Sequence, residues 1–521
     1  MFLAQAPAAP IEVPSVDYAA VLPMLIVFGV ACIGVLVEAF APKATRWGIQ
    51  VTISLGAIIA AGVSLILYAT GASASKAGTT TFSGSISVDR PSLFLWGTLL
   101  LLGLGAVFLI ADRKVEPGGA FVAQAAIRPG TVQDRAQAAT TSQTEVFPLT
   151  LFALGGMMTF CAANDLLTMF IALEVLSLPL YLMCGLARRR RLISQEAAVK
   201  YFLLGAFSSA FFLYGLALLY GYADSVKLAD IAHAAAGSDR SDTLLFAGLG
   251  LLVVGLLFKG SVGPFHTWTP DVYQGAPTPV TGFMAACTKV AAFGAILRVL
   301  SVGFSSTSWE WRGVMWAVAI ISMALGAILG LTQTDVKRMI AYSSVAHAGF
   351  LLVGAIAMTE DGLSSTLFYL LAYGFTTLAA FGVVSLVRDS SGEATHLSAW
   401  AGLAKRSPVL AGVFTFLLLA LAGIPLTSGF VGKFVVFSAA LSDGMAPLVV
   451  VALVFSAVAA FFYLRVIVLM YFSEPAADGP TVTVPGGFTT AAIALGVVVT
   501  LVLGVLPAFA LDWAGAGGFA S

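Results

Sequence analysis

The chain has 521 residues, of which 59% are hydrophobic and only 10% charged, against about 25% charged residues in soluble globular proteins. So few charges cannot clothe so long a chain in water, which excludes a soluble multidomain protein. Its 26 basic and 26 acidic side chains cancel, so the net charge suggests no nucleic acid or other polyanionic partner.

Inside hydrocarbon only helices and closed barrels satisfy their backbone, and a crossing helix needs about 20 apolar residues. The apolar runs are too long and unbroken for barrel strands. The expected fold class is therefore an all-α polytopic membrane protein of about fourteen spans. They fall near 18–40, 46–70, 91–112, 145–162, 164–186, 198–221, 243–260, 278–300, 312–332, 337–358, 362–387, 408–438, 444–472 and 487–510. The first run ends Glu38-Ala39-Phe40-Ala41-Pro42 and imitates a signal-peptidase site. No Lys or Arg precedes it and Pro42 follows the would-be cut, so it reads as a retained span.

Loop charges set the orientation. With the N-terminus outside, inside loops gather Lys43, Arg46, Arg113, Lys114, Arg128, Arg135, Arg188 to Arg191, Lys337, Arg338, Arg388, Lys405 and Arg406. Outside loops and their flanks hold Lys76, Arg90, Lys227, Arg240, Arg298 and Arg312. An inside excess of Lys and Arg is the expected bias, and it places both termini outside. The run Arg188 to Arg191 reads as a topology anchor rather than a lipid site. Segment 113–144, polar and rich in Ala, Gln and Thr, reads as a flexible cytoplasmic loop.

Cys32, Cys161, Cys184 and Cys287 all lie in apolar stretches without a CxxC pair, and read as small helix residues. His233, His266, His347 and His396 show no HExxH spacing, and no phosphate-binding glycine motif occurs. No cofactor or metal site is expected in this chain.

The informative residues are ionisable groups within spans: Glu174, Lys200, Lys259, Lys289, Lys433 and Arg465. A charge at the bilayer centre costs about 2.5–3.5 kcal/mol on insertion scales, so such residues face protein or water and mark ion or proton paths. Glu174, Lys259, Lys289 and Lys433 lie near mid-span. Lys200 is about a turn from the inside end, where it can snorkel or pair with Glu196. Arg465 and Glu38, also near inside ends, suit structural roles. Burial and a neighbouring carboxylate move a lysine's proton affinity in opposite directions, so a separable Glu–Lys pair is a proton switch.

Two spans carry breakers: Lys259-Gly260-Ser261-Val262-Gly263-Pro264-Phe265-His266, and Gly423-Ile424-Pro425-Leu426-Thr427-Ser428-Gly429 shortly before Lys433. Discontinuous helices in corresponding places point to inverted repeats with the ion path between them. The breaks fall in the seventh and twelfth spans, which divides the chain into 1–112 (three spans), the loop 113–144, five-helix units 145–300 and 301–472, and a last span in 473–521.

The stretch Phe265-His266-Thr267-Trp268-Thr269-Pro270-Asp271-Val272-Tyr273-Gln274-Gly275-Ala276-Pro277-Thr278-Pro279-Val280 resembles the signature of the subunit N family of bacterial respiratory complex I, the proton-pumping NADH:quinone oxidoreductase. The mitochondrial counterpart is NADH dehydrogenase subunit 2. Ala341 to Phe350 and Pro425 to Phe434 look like two further motifs of that family. Thr269, where the related L, M and Mrp-type antiporter subunits usually carry Leu, and Lys433, where subunit M typically has Glu, favour subunit N. The resemblance implies a proton path through Glu174, Lys259, Lys289 and Lys433, with Lys200 and His266 assisting. It also implies a bacterial inner-membrane location, other membrane and peripheral subunits of complex I as partners, and NADH, FMN, iron–sulfur clusters and quinone held in those subunits. A stand-alone Mrp-type cation/proton antiporter subunit is the alternative, and a passive scaffold subunit the third reading.

Overall fold

The computed structural model describes residues 16–71, 78–122, 127, 131–133, 143–237, 241–389, 392–475 and 479–520. Lys76, Arg128, Arg135, Arg240 and half of the loop expected to be flexible lie outside them. Among the described residues, eleven helices are long and apolar enough to cross a membrane, and four shorter apolar helices join them. Two of the short ones, Pro408–Ala422 and Ser428–Ser442, are halves of one interrupted span, so the chain is a fourteen-span, multi-pass α-helical membrane protein.

Polar caps start several spans where water-facing turns meet apolar runs. Asp89 accepts from the Ser92 amide at the head of the third span, and Asp165 from Thr168 at the fifth. Asp335 accepts from Lys337 and Arg338 at the tenth, and Thr359 from Gly362 at the eleventh. Each satisfies amides a helix start leaves open. The third, eighth, tenth and eleventh spans are buried nearly all round and form the centre. The first, second, sixth, ninth, thirteenth and fourteenth spans leave most of their residues partly or fully exposed, as lipid-facing helices do. Short antiparallel ribbons lie outside the spans: Thr79–Thr81 with Ile86–Val88, and Val387–Asp389 with both Gly392–Glu393 and Thr481–Val482.

The fourth span packs on the fifth and eighth, and the sixth on both halves of the seventh. In the same relation the ninth packs on the tenth and thirteenth, and the eleventh on both halves of the twelfth.

The structure corrects the sequence reading in several places. The sixth span begins at Arg191 rather than 198, since hydropathy locates hydrocarbon and not the helix continuing beyond it. The seventh span regains a second half, Trp268–Gly275, too short and polar to register as apolar. Short helices Leu228–Gly237 and Ala508–Ala514 were not expected. Arg298, assigned to an outer flank, is fully buried against Asp89, with their charged atoms 2.8 Å apart. Lys337, counted as an inside-loop anchor, is buried in the tenth span.

Candidate functional site

The two helix breaks organise the site. At the end of Thr243–Lys259 the chain turns through Gly260 and Ser261, and helix resumes at Trp268. Most freed backbone groups find partners inside protein, as hydrocarbon demands. Val262 N donates to Leu257 O (2.9 Å), Trp268 Nε1 to Phe258 O (3.0 Å), and Gly263 N to Ser322 Oγ of the ninth span (3.0 Å). The Gly260 carbonyl accepts from Lys289 Nζ at 3.1 Å.

At the twelfth-span break, Lys433 Nζ donates to the Leu421 and Ala422 carbonyls at 3.2 and 2.9 Å, and to Ser456 Oγ at 3.0 Å. Gly423 makes this possible: its φ is +87°, and a Cβ there would stand 3.0 Å from Lys433 Cδ. Gly429 lets the half-helices cross, because its Cβ would collide with the Ala420 carbonyl oxygen.

Lys259, expected near mid-span, occupies the last position of its half-helix. It is buried, and Nζ donates to Ser177 Oγ (2.8 Å) and Tyr201 OH (2.9 Å). The rings of Tyr181 and Tyr201 face it at 5.7 and 5.1 Å. Glu174 lies one turn before Ser177 on the fifth span, on the same helix face. No ion pair within 4.0 Å joins it to Lys259, and the buried Glu174 Oε1 makes no hydrogen bond. The pair is held apart, with Ser177 in the lysine's reach.

Lys289 follows a π-helical turn, Met284–Thr288, in the eighth span. Besides Gly260 O it donates to Ser344 O of the tenth span at 2.8 Å, and the Tyr373 ring lies 5.5 Å away. Beyond Tyr373 comes His347, ring centroids 5.0 Å apart. His347 is buried; Nδ1 bonds with Tyr369 OH (2.7 Å) and Nε2 with Tyr463 OH (3.3 Å). Another of its ring neighbours, Phe350, has its ring centre 5.0 Å from Lys433 Nζ. Hydrogen bonds and ring contacts thus link Lys259, Lys289, His347 and Lys433 through the buried interior, with the part-buried Glu174 a turn from the Ser177 that Lys259 binds.

Two expected residues stand apart. Lys200 is 41% exposed and bonds Glu196 at 2.7 Å and Asp271 at 2.6 Å, while Asp271 also pairs with Arg338. His266 is buried in the break, its ring 6.0 Å from that of Tyr342, and its Nδ1 has no hydrogen-bond partner. Arg465 donates to the Leu331 and Gln333 carbonyls where the ninth span ends, and Glu38 pairs with Arg46.

Sequence reasoning missed His347, although any ionisable residue in mid-span is a signal. It also missed Lys337, whose Nζ reaches Ala276 O (2.9 Å), Thr278 Oγ1 (3.0 Å) and the Glu393 carboxylate (3.6 Å). Among the described residues no cluster of His, Cys, Asp or Glu is placed to hold a metal.

A fourteen-span bundle with two broken helices and lysines at both breaks is the architecture of antiporter-like membrane proteins. The family model described as "NADH:quinone oxidoreductase/Mrp antiporter, TM" matches residues 163–473. NADH-quinone oxidoreductase subunit N of Saccharopolyspora erythraea is 76% identical over 98% of this chain and 99% of its own length. That of Mycobacterium tuberculosis is 54% identical over 96% of this chain and 98% of its own. A chain of respiratory complex I from Thermus thermophilus with bound aureothin superposes with TM-score 0.75 at 34% identity, covering 95% of this chain and 100% of that one. A chain of the Mrp complex from Dietzia sp. superposes with TM-score 0.81, at 22% identity, over 96% of this chain and 97% of that one, and so shares the fold. The chain belongs to the NADH:quinone oxidoreductase/Mrp antiporter family, on its NADH-quinone oxidoreductase subunit N branch.

Proposed function

We propose that this chain is the proton-translocating subunit N of a bacterial NADH-quinone oxidoreductase, moving protons along Glu174, Lys259, Lys289, His347 and Lys433. The observation that carries the reading is the set of buried cations itself: three lysines, each 2–6% exposed, at two helix breaks in one bundle. Their burial is costly, and hydrogen bonds to hydroxyls and carbonyls together with ring contacts offset it.

Lys259 rests on hydroxyls while Glu174 waits a turn away. A neighbouring subunit that shifts the fifth span or adds charge near Glu174 changes whether Lys259 holds its proton. Lys289, bound to the residue following Lys259, takes the next position, and His347 stands between it and Lys433. Lys200 and His266 flank the break, and we place them beside the line rather than in it. The matched packing of spans four to eight and nine to thirteen supports two inverted units, 145–300 and 301–472. The inside excess of Lys and Arg supports periplasmic termini in the inner membrane. NADH, FMN, iron–sulfur clusters and quinone belong to partner subunits, membrane and peripheral.

The test is NADH-driven proton uptake by inverted membrane vesicles. Lys259→Ala should assemble into the complex yet lose most pumping and coupled quinone reduction. Normal turnover with a normal membrane potential would refute the path. Purification without flavin and iron–sulfur partners would favour a stand-alone antiporter instead.

A further inference from the structure

A cavity of about 570 Å³ opens where the second, third and fourteenth spans meet, away from the buried lysines. Its floor is apolar: Trp47, Phe108, Phe488 and Ala491. Phe488 stacks on Phe108 with centroids 5.9 Å apart and meets Trp47 edge-on at 6.3 Å. Its rim is cationic. The Arg113 guanidinium lies 5.3 Å from the centre of the Trp47 ring, and Lys114 follows it, exposed. The carboxylate at the rim, Asp112, is already used. It accepts from the Lys114 and Val115 amides and from the Thr489 amide at the start of the fourteenth span.

The second and third spans present here the ends carrying the inside-loop charges Lys43, Arg113 and Lys114, and the fourteenth presents its start at Gly487. A cavity at that level meets the headgroup layer above and acyl chains to its side. Aromatic side chains favour this depth, and basic clusters there attract anionic headgroups. We propose that this cavity binds one anionic phospholipid, with its phosphate on Arg113 and Lys114 and its upper acyl chains on Trp47, Phe108 and Phe488. Charge favours this occupant: the lining carries two cations, Arg113 and Lys114, against the one carboxylate of Asp112, and a phosphate supplies the balancing negative charge that a neutral lipid or an apolar helix of another subunit would not.

The test uses the purified whole complex with a photoactivatable phosphatidylglycerol, mapping labelled peptides by mass spectrometry. Label should appear in peptides spanning 108–114 and 486–491, with competition from phosphatidylglycerol and not from phosphatidylcholine. Two surface cations contribute about 1 kcal/mol each, so the double variant Arg113→Ala, Lys114→Ala should weaken labelling affinity about 30-fold. Arg113→Lys should retain most of it. Ala491→Trp, which fills the cavity and leaves the cations in place, should abolish labelling. Equal competition by phosphatidylcholine, unchanged labelling in the double variant or in Ala491→Trp, or a cross-link to a neighbouring subunit in place of lipid would overturn the proposal.

Discussion

Replacing Tyr201 by Phe removes one oxygen from the site. That hydroxyl accepts from Lys259 Nζ at 2.9 Å and is one of the two hydrogen-bond acceptors holding the buried ammonium. The ring keeps its place: it stacks on Trp268 at 4.6 Å and 11°, and meets Tyr181 edge-on at 4.6 Å. Packing and the cation–π contact therefore survive, and assembly should be normal. A hydrogen bond to a charged group contributes about 1.5–3 kcal/mol. Losing it should change the balance between protonated and neutral Lys259 by roughly 10- to 150-fold. The assay compares two rates in inverted vesicles: proton uptake driven by NADH, and NADH oxidation by a soluble acceptor that bypasses the membrane subunits. Pumping and quinone reduction should fall together while the bypass rate holds. Pumping equal to that of the unsubstituted complex would refute the assignment of Tyr201 as a support for a proton-carrying lysine.

Three other substitutions probe separate parts of the argument. Gly423→Ala places a Cβ at φ +87° and 3.0 Å from Lys433 Cδ; strain of about 1–3 kcal/mol should displace the lysine from the Leu421 and Ala422 carbonyls, seen as reduced pumping with the complex intact on native gels. Asp89→Asn leaves the fully buried Arg298 without its carboxylate, and breaking such a pair costs about 3–5 kcal/mol, so the complex should dissociate at a lower temperature in thermal-shift measurements. Lys200→Gln removes a charge that is 41% exposed and shared with Glu196 and Asp271; surface pairs are worth at most about 1 kcal/mol, so pumping should stay near normal, and a loss as deep as that of Lys259→Ala would put Lys200 back in the path.

Much of this architecture was legible because hydrocarbon imposes a simple code. Long apolar runs had to be helices, and Gly–Pro stretches beside lysines had to be breaks that protein would line. Pairwise contacts were not legible. Nothing in the letters told that Lys259 would reach Ser177 and Tyr201 before Glu174, or that Lys289 would donate to the carbonyl of the residue after Lys259. Arg298 looked like an outer-flank charge because its counter-ion, Asp89, lies far away in sequence and opens a different span. Lys337 looked exposed because it sits a residue into its helix, yet the Trp268–Gly275 half-helix and the strand segment at Glu393 close over it. Hydropathy registers depth, and neither of these is a matter of depth.

The breaks also explain why the carriers in the proposed path are lysines. A half-helix that stops inside protein leaves carbonyls unpaired and a partial negative charge at its C-terminal end. Only a donor, preferably a cation, satisfies it. Lys289 does so at Gly260, Lys433 at Leu421 and Ala422, and Lys337 at Ala276, where the second half of the seventh span ends. An ionised carboxylate in any of these places would face oxygens of its own sign, and only its protonated form could donate to them. Lys259 differs: its acceptors are hydroxyls, which can reorient or be exchanged at small cost, whereas backbone carbonyls cannot turn without moving a helix. The lysine beside Glu174 is thus the one most easily released from its present partners. In the proposed path, that makes the Glu174–Lys259 pair the point where a neighbouring subunit's movement would enter, with the carbonyl-bound lysines as fixed positions beyond it.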